Sequence, residues 1–285
     1  MIYYIMVSFA AILFSMQFLC QQKYEENCGT GLKEALKFSM YKGFTVIVMM
    51  LILNCFKLEF TWFSFGISGV YALCYILMIY FSLKAFSVAN LSVYSVFTML
   101  GGMIIPFIVG VWMFGEEINR FKVICCLLVI VAVLMNVKKG SGSKKAFLYY
   151  MLVFMLNGTI GATSAIHQNL GIANTNSTSF MFYSGIWTIV ICTVWLLVKG
   201  EKTLILKGKS LLYSAGDGFL NGIGDLLLLI SVAPGALDAS VQYPFVTGGV
   251  MVCSTLISTL RHEKVRKIEY FATVVAFVAS VLMTF

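Results

Sequence analysis

The sequence predicts an all-α integral membrane protein of ten transmembrane helices, arranged as two inverted five-helix repeats over residues 1–140 and 141–285. Three observations predict it. The chain is 60% hydrophobic and only 11% charged, with a mean hydropathy of +0.92, far from the quarter or so of charged residues in soluble domains. Apolar runs long enough to cross a hydrocarbon core of ~30 Å, which takes roughly 20 helical residues, recur along the whole length with little between them. One offset of 146 residues superposes Glu117 on Glu263, Tyr3-Tyr4 on Tyr149-Tyr150, Val7 on Val153, Gln22 on Gln168, Leu83 on Leu229, Gly102 on Gly248, Arg120 on Arg266 and Val129 on Val275.

The spans read, in order, as 2–20, 36–54, 61–83, 88–114, 121–137, 147–166, 179–198, 211–231, 237–259 and 267–285. The first has no basic segment ahead of it and no small-residue cleavage site behind it, since Cys20-Gln21-Gln22-Lys23 is polar, so a retained helix is expected rather than a signal peptide. The third carries Ser64, Ser68, Tyr71 and Tyr75 at alternating three- and four-residue steps, which places them on one helical face. The fourth is long and holds Pro106. After the fifth comes Lys138-Lys139-Gly140-Ser141-Gly142-Ser143-Lys144-Lys145, a charged Gly/Ser linker at the midpoint that divides the chain in two. The eighth span holds a polar stripe, and the ninth opens with Asp238 and Gln242.

Five spans per half is an odd number, so the second half enters the membrane in the opposite orientation to the first. Inverted repeats of this kind are the architecture of many secondary transporters, with the substrate site near the bilayer midplane.

The net charge of +8 would suggest nucleic acid in a soluble protein, but here the Lys and Arg fall in short loops, where they orient the chain. Nucleic-acid binding is rejected. Of the eight cysteines only Cys28 lies in a loop and none forms a CxxC pair, so they read as packing residues rather than a metal or redox site. No cofactor is implied.

Ser82-Leu83-Lys84-Ala85-Phe86-Ser87-Val88-Ala89, then the long span with Pro106, then Gly115-Glu116-Glu117-Ile118 resembles the motif order of the EamA repeat in the drug/metabolite transporter superfamily. The second half repeats it more loosely as Val232-Ala233-Pro234-Gly235-Ala236, Tyr243-Pro244-Phe245 and Arg261-His262-Glu263-Lys264. Glu116 stands where that family has a basic residue, and Arg261-His262 replaces the glycine before Glu263. The resemblance implies a ten-helix basket in a bacterial plasma membrane whose spans one, three, four, six, eight and nine surround a cavity. It also implies transport of a small metabolite, most often outward.

Asp217, Asn221 and Asp225 recur at i, i+4 and i+8, drifting only about 80° in total, so all three line one face of the eighth span. Acids at membrane depth are costly and mark substrate or proton pathways; the alternative is interhelical bonding. Gly218 and Gly222, in small-xxx-small spacing, read as a packing seam. The leading candidates for substrate or proton binding are therefore Asp217, Asn221 and Asp225 with Tyr71 and Tyr75, whose rings and hydroxyls suit an amphipathic metabolite. Gln17, Gln21, Asn157, Ser164, Gln168, Asp238 and Gln242 follow as second-tier cavity residues. His167 reads as an interface residue. Glu117 and Glu263 read as acids near the start of the next helix, with Arg120 and Arg266 as anchors.

These features predict a secondary active transporter of a small amphipathic metabolite, such as an amino acid or a related zwitterionic or cationic compound, with the eighth-span acids binding either a coupling proton or a cationic group of the substrate. Lys42 and Lys84 are the only basic residues placed to enter the membrane, which argues against sugar phosphates and nucleotide sugars. A channel or small-molecule sensor is the alternative. An integral membrane enzyme would need a nucleophile–base pair or metal cluster, and neither of the two histidines has a second ligand at helical spacing. Loops after odd-numbered spans, counted to include Lys42, hold 17 of the 20 Lys and Arg. Positive-inside bias therefore puts both termini outside the cytoplasm, whereas the resemblance implies termini inside.

Overall fold

The computed structural model describes residues 2–87, 91–115, 144–170, 175–201, 203–233, 235–263 and 265–282, together with 120, 123–124, 127–128 and 130–131. Its helices are α1 (Ile2–Cys28), α2 (Leu32–Leu53), α3 (Trp62–Phe86), α4 (Leu91–Phe114), α5 (Lys144–Asn169), α6 (Ser177–Val198), α7 (Lys209–Ser231), α8 (Ala239–Leu260) and α9 (Lys267–Leu282). Among the described residues seven of them, α1 to α6 and α8, are long and apolar enough to cross a membrane. The expected fifth span falls for the most part outside the described residues, as does Glu117.

The helices wear their apolar side chains outward. On α1, Ile5, Phe9, Ile12 and Met16 are exposed at i, i+4, i+7 and i+11, while Gln17 and Gln21 are buried. A helix that turns its hydrophobic stripe to the surroundings and its amides to the centre suits a lipid solvent, where the interior is the only place polar groups find partners.

α1 runs eight residues beyond the expected end of the first span. Its polar last turns stay helical because their side chains are held: Gln22 donates to Glu263 Oε1 at 3.2 Å, and Arg261 reaches Glu26 at 3.2 Å. Glu263, four residues before α9, thus pairs with Arg261, at 3.0 Å, and with Gln22.

Packing alternates between the halves. α1 lies between α7 and α8, α2 between α7 and α6, α3 between α6 and α5, and α4 between α5 and α8. The order α1, α7, α2, α6, α3, α5, α4, α8 therefore closes into a ring, and α9 packs outside it on α8. Small residues allow the close crossings. A Cβ on Gly185 would stand 3.0 Å from the carbonyl oxygen of Gly43 where α2 meets α6, and one on Gly218 would stand 2.8 Å from that of Lys42 where α7 meets α2. The seam expected at Gly218 and Gly222 is this α2 contact, with Gly222 against Met49.

One end of the ring is held by charge. α6 ends in a Schellman turn, with Gly200 at φ 67° and bonds from Gly200 N to Leu197 O and Glu201 N to Leu196 O. The turn sets Glu201 against Lys33 at 2.7 Å and Lys37 at 2.9 Å. Hydrogen bonds from the two lysines hold its carboxyl down at about 2.

Candidate functional site

The polar stripe of α7 faces the inside of the ring, and its members do three different jobs. Asp217 is fully buried. Its Oδ1 accepts from Gln21 Nε2 at 2.9 Å, and its Oδ2 lies 2.9 Å from Lys42 Nζ in an ion contact without an aligned hydrogen bond. The Lys42 ammonium also sits over the Tyr75 ring, 3.6 Å from its centroid, within cation–π range. This corrects the counting of Lys42 among the loop cations: it is buried, as its place inside the expected second span allows, and the first half offers the eighth-span acids a cation as well as tyrosines. Asp217 is consequently spent on Lys42 and does not face the main cavity.

Asn221 donates to Gln17 Oε1 at 3.2 Å, and Gln17 Nε2 donates to the Tyr75 hydroxyl at 3.0 Å. Gln17 uses both ends of its amide to join α3 to α7. Asp225 accepts at Oδ2 from the Tyr71 hydroxyl at 2.8 Å. No ammonium or guanidinium of the described residues lies in ion-pair contact with it.

Two cavities lie against this network. The larger, of about 70 Å³, is walled by α1, α3, α4, α5, α7 and α8, which correspond to expected spans one, three, four, six, eight and nine. Polar groups at its wall are Gln17, Asn157, Ser164, Asn221, Asp225 and Thr247; the rest is largely apolar, with Phe14, Met78, Met99 and Leu228. The smaller, of about 20 Å³, has room for a water and lies beside Lys42, between α2, α3, α6 and α7. Tyr75 and Asn221 line both and stand between Lys42 and the larger cavity.

The remaining candidates separate. Asn157, at the larger cavity, donates to Thr98 O at 2.7 Å, and Ser164, also at its wall, to Ile160 O at 3.1 Å. Gln168 lies away from it at the end of α5, 3.1 Å from His167 Nδ1 and 3.3 Å from Ser177 Oγ. His167 is itself fully buried, 2.9 Å from Ser64 Oγ and stacked on Phe180, so it packs against protein near the end of α5. Gln242 is buried and ties α8 to α7 by donating to Leu228 O at 2.8 Å. Asp238 is exposed, and its carbonyl accepts from the N–H groups of Val241 and Gln242, a capping position outside the cavity.

The sequence reads Lys42 both ways, as a residue placed to enter the membrane and as a loop cation, and its spacing favours the first. Ala35, Ser39, Lys42, Val46 and Met49, all buried, recur at helical spacing, so Lys42 continues the inward face of α2.

No family model matches the chain, and no curated protein does. Solved structures do: 28 chains match, among them a protein crystal structure that superposes over 98% of this chain and 95% of its own with a TM-score of 0.70 and 14% identity. At that identity the likeness shows the fold alone.

Proposed function

We propose that the protein is a secondary transporter of the EamA type, moving a small amphipathic molecule that bears an ammonium group by alternating access in a cell membrane. The observation that carries the reading is Asp225, a carboxylate at the wall of a mostly apolar cavity inside the helix ring, with a tyrosine hydroxyl and, among the described residues, no contacting cation. An acid so placed binds an exchangeable cation, either a proton or the ammonium of the cargo. Aromatic and methionine side chains supply the apolar part of the site.

The packing scheme supports two related halves. Exchanging α1 with α5, α2 with α6, α3 with α7 and α4 with α8 maps each neighbouring pair in the ring onto another such pair. α1·α7 becomes α3·α5, α4·α5 becomes α1·α8, α3·α6 becomes α2·α7, and α2·α6 and α4·α8 map onto themselves. Such exchange symmetry is the property of repeats that rock about a shared site.

The test is counterflow. Proteoliposomes loaded with an unlabelled aliphatic or aromatic amine or amino acid are diluted into labelled compound. A carrier gives a transient overshoot of internal label for at least one compound, and Asp225→Asn removes it while the purified variant stays folded. Equilibration without overshoot would mark a channel, and an overshoot unchanged in Asp225→Asn would defeat the assignment of the site.

A further inference from the structure

Charge inside the ring does not balance. Away from the helix ends, the described residues place one cation, Lys42, and two acids, Asp217 and Asp225. Lys42 lies against Asp217 at 2.9 Å, with both side chains no more than 5% exposed. The pair sits outside the wall of the larger cavity, behind Tyr75 and Asn221, which Gln17 holds together. Among the described residues the larger cavity therefore meets a single unbalanced carboxylate, that of Asp225. A buried charge is tolerated only when paired, so one positive charge is what the site lacks.

Resting on the transporter reading above, we infer that Lys42 fixes the net charge of the cargo: by taking up Asp217 it leaves room for one cation, so the site selects organic monocations and rejects zwitterions. An amino acid offers Asp225 the same ammonium as an amine, but it brings a carboxylate into a cavity whose wall provides amides, hydroxyls and apolar groups. The nearest ammonium, Lys42, is already committed and lies behind the partition. Masking that carboxylate as an amide restores a net charge of +1 with almost no change in size, so charge and fit are separable.

The same geometry predicts a change of selectivity. Without the Lys42 charge, two acids stand eight residues apart on one face of α7, about 12 Å at 1.5 Å per residue. Lys42→Met is then matched by an extended dication of similar length.

The experiment measures ligand-induced thermal stabilisation of the purified full-length protein, using leucine, phenylalanine and tryptophan, their amides and their decarboxylated amines, and 1,8-diaminooctane. In the wild type at least one amide and its amine bind, and the matching amino acid binds at least about tenfold more weakly. Asp225→Asn removes amine binding. Lys42→Met gains stabilisation by the diamine relative to the monoamine. Should Lys42→Met not fold, Lys42→Met with Asp217→Asn removes both charges of the buried pair together, leaves Asp225 as it is in the wild type, and keeps the ranking of amide over amino acid.

An amino acid that binds as tightly as its amide overturns the inference, as does a failure of every amide to bind or a loss of the ranking in the double variant. Binding that follows this ranking without counterflow leaves charge selection standing and removes the transporter reading. Counterflow of amino acids and amides alike does the reverse.

Discussion

Lys42 and Asp217 come from positions 175 residues apart in the chain, and each makes the other tolerable at depth. An ammonium or a carboxylate alone at full burial costs several kcal/mol, while the contacting pair recovers much of that cost. Lys42→Met should therefore destabilise the protein by about 3–5 kcal/mol by leaving Asp217 uncompensated. Adding Asp217→Asn should recover most of the loss. Thermal unfolding of the two variants in detergent checks this, and a double variant no more stable than the single one would mean that packing rather than charge is at stake. The acids themselves were legible in the sequence, because i, i+4, i+8 spacing in an apolar run states which face they share. Their partners were not. Helical periodicity places residues on a face of their own helix and says nothing of which helix that face will meet. Counting Lys42 with the loop cations hid the one charge that separates the roles of Asp217 and Asp225.

At the scale of the helix, the apolar runs located most elements, and the errors fall where polar residues are paid for by tertiary partners. α1 outlasts its hydropathy because Gln21, Gln22 and Glu26 bond to Asp217, Glu263 and Arg261. α7 is not among the seven helices apolar enough to cross a membrane, yet it packs in the ring, since its stripe is satisfied from α1, α2 and α3. Glycine spacing read correctly as a seam and left open which helix it admits. The answer, α2, makes a prediction. A Cβ at Gly218 would stand 2.8 Å from the carbonyl oxygen and 3.1 Å from the Cα of Lys42, both backbone atoms that cannot rotate away. Gly218→Ala should force α2 from α7, loosen the Lys42–Asp217 contact and cost about 1–3 kcal/mol. Gly66 on α3 has open space around its Cβ direction, so Gly66→Ala should be neutral or stabilising by about 0.5–1 kcal/mol through helix propensity. Melting temperatures of the two variants compare them directly, and equal losses at both positions would refute the close-contact account of Gly218.

The two ends of the whole molecule differ in chemistry. At one end the chain gathers Lys33, Lys37 and Glu201, with Arg261 against Glu26. At the other, beyond the C-terminus of α2 and around the start of α3 and the end of α4, Phe56, Phe60, Trp62 and Trp112 stand exposed, as aromatic side chains do at a membrane interface. Orientation follows from the first set, because cytoplasmic loops retain Lys and Arg. Moving Lys42 from the loops into the core lowers the cationic count of that end by one and leaves the bias in place. Positive-inside bias then predicts a cytoplasmic charged end and an outward aromatic end, whereas the family resemblance implies the opposite. Cys55 decides between them with a native side chain. It is a free thiol, exposed in the turn after α2, and α2 enters the ring at Lys33 and Lys37, so Cys55 lies at the end opposite the lysines. A membrane-impermeant thiol reagent added to intact cells should label the wild-type protein and fail to label Cys55→Ser. Labelling that appears only after the membrane is permeabilised would place the lysine-rich end outside and reverse the orientation derived from charge.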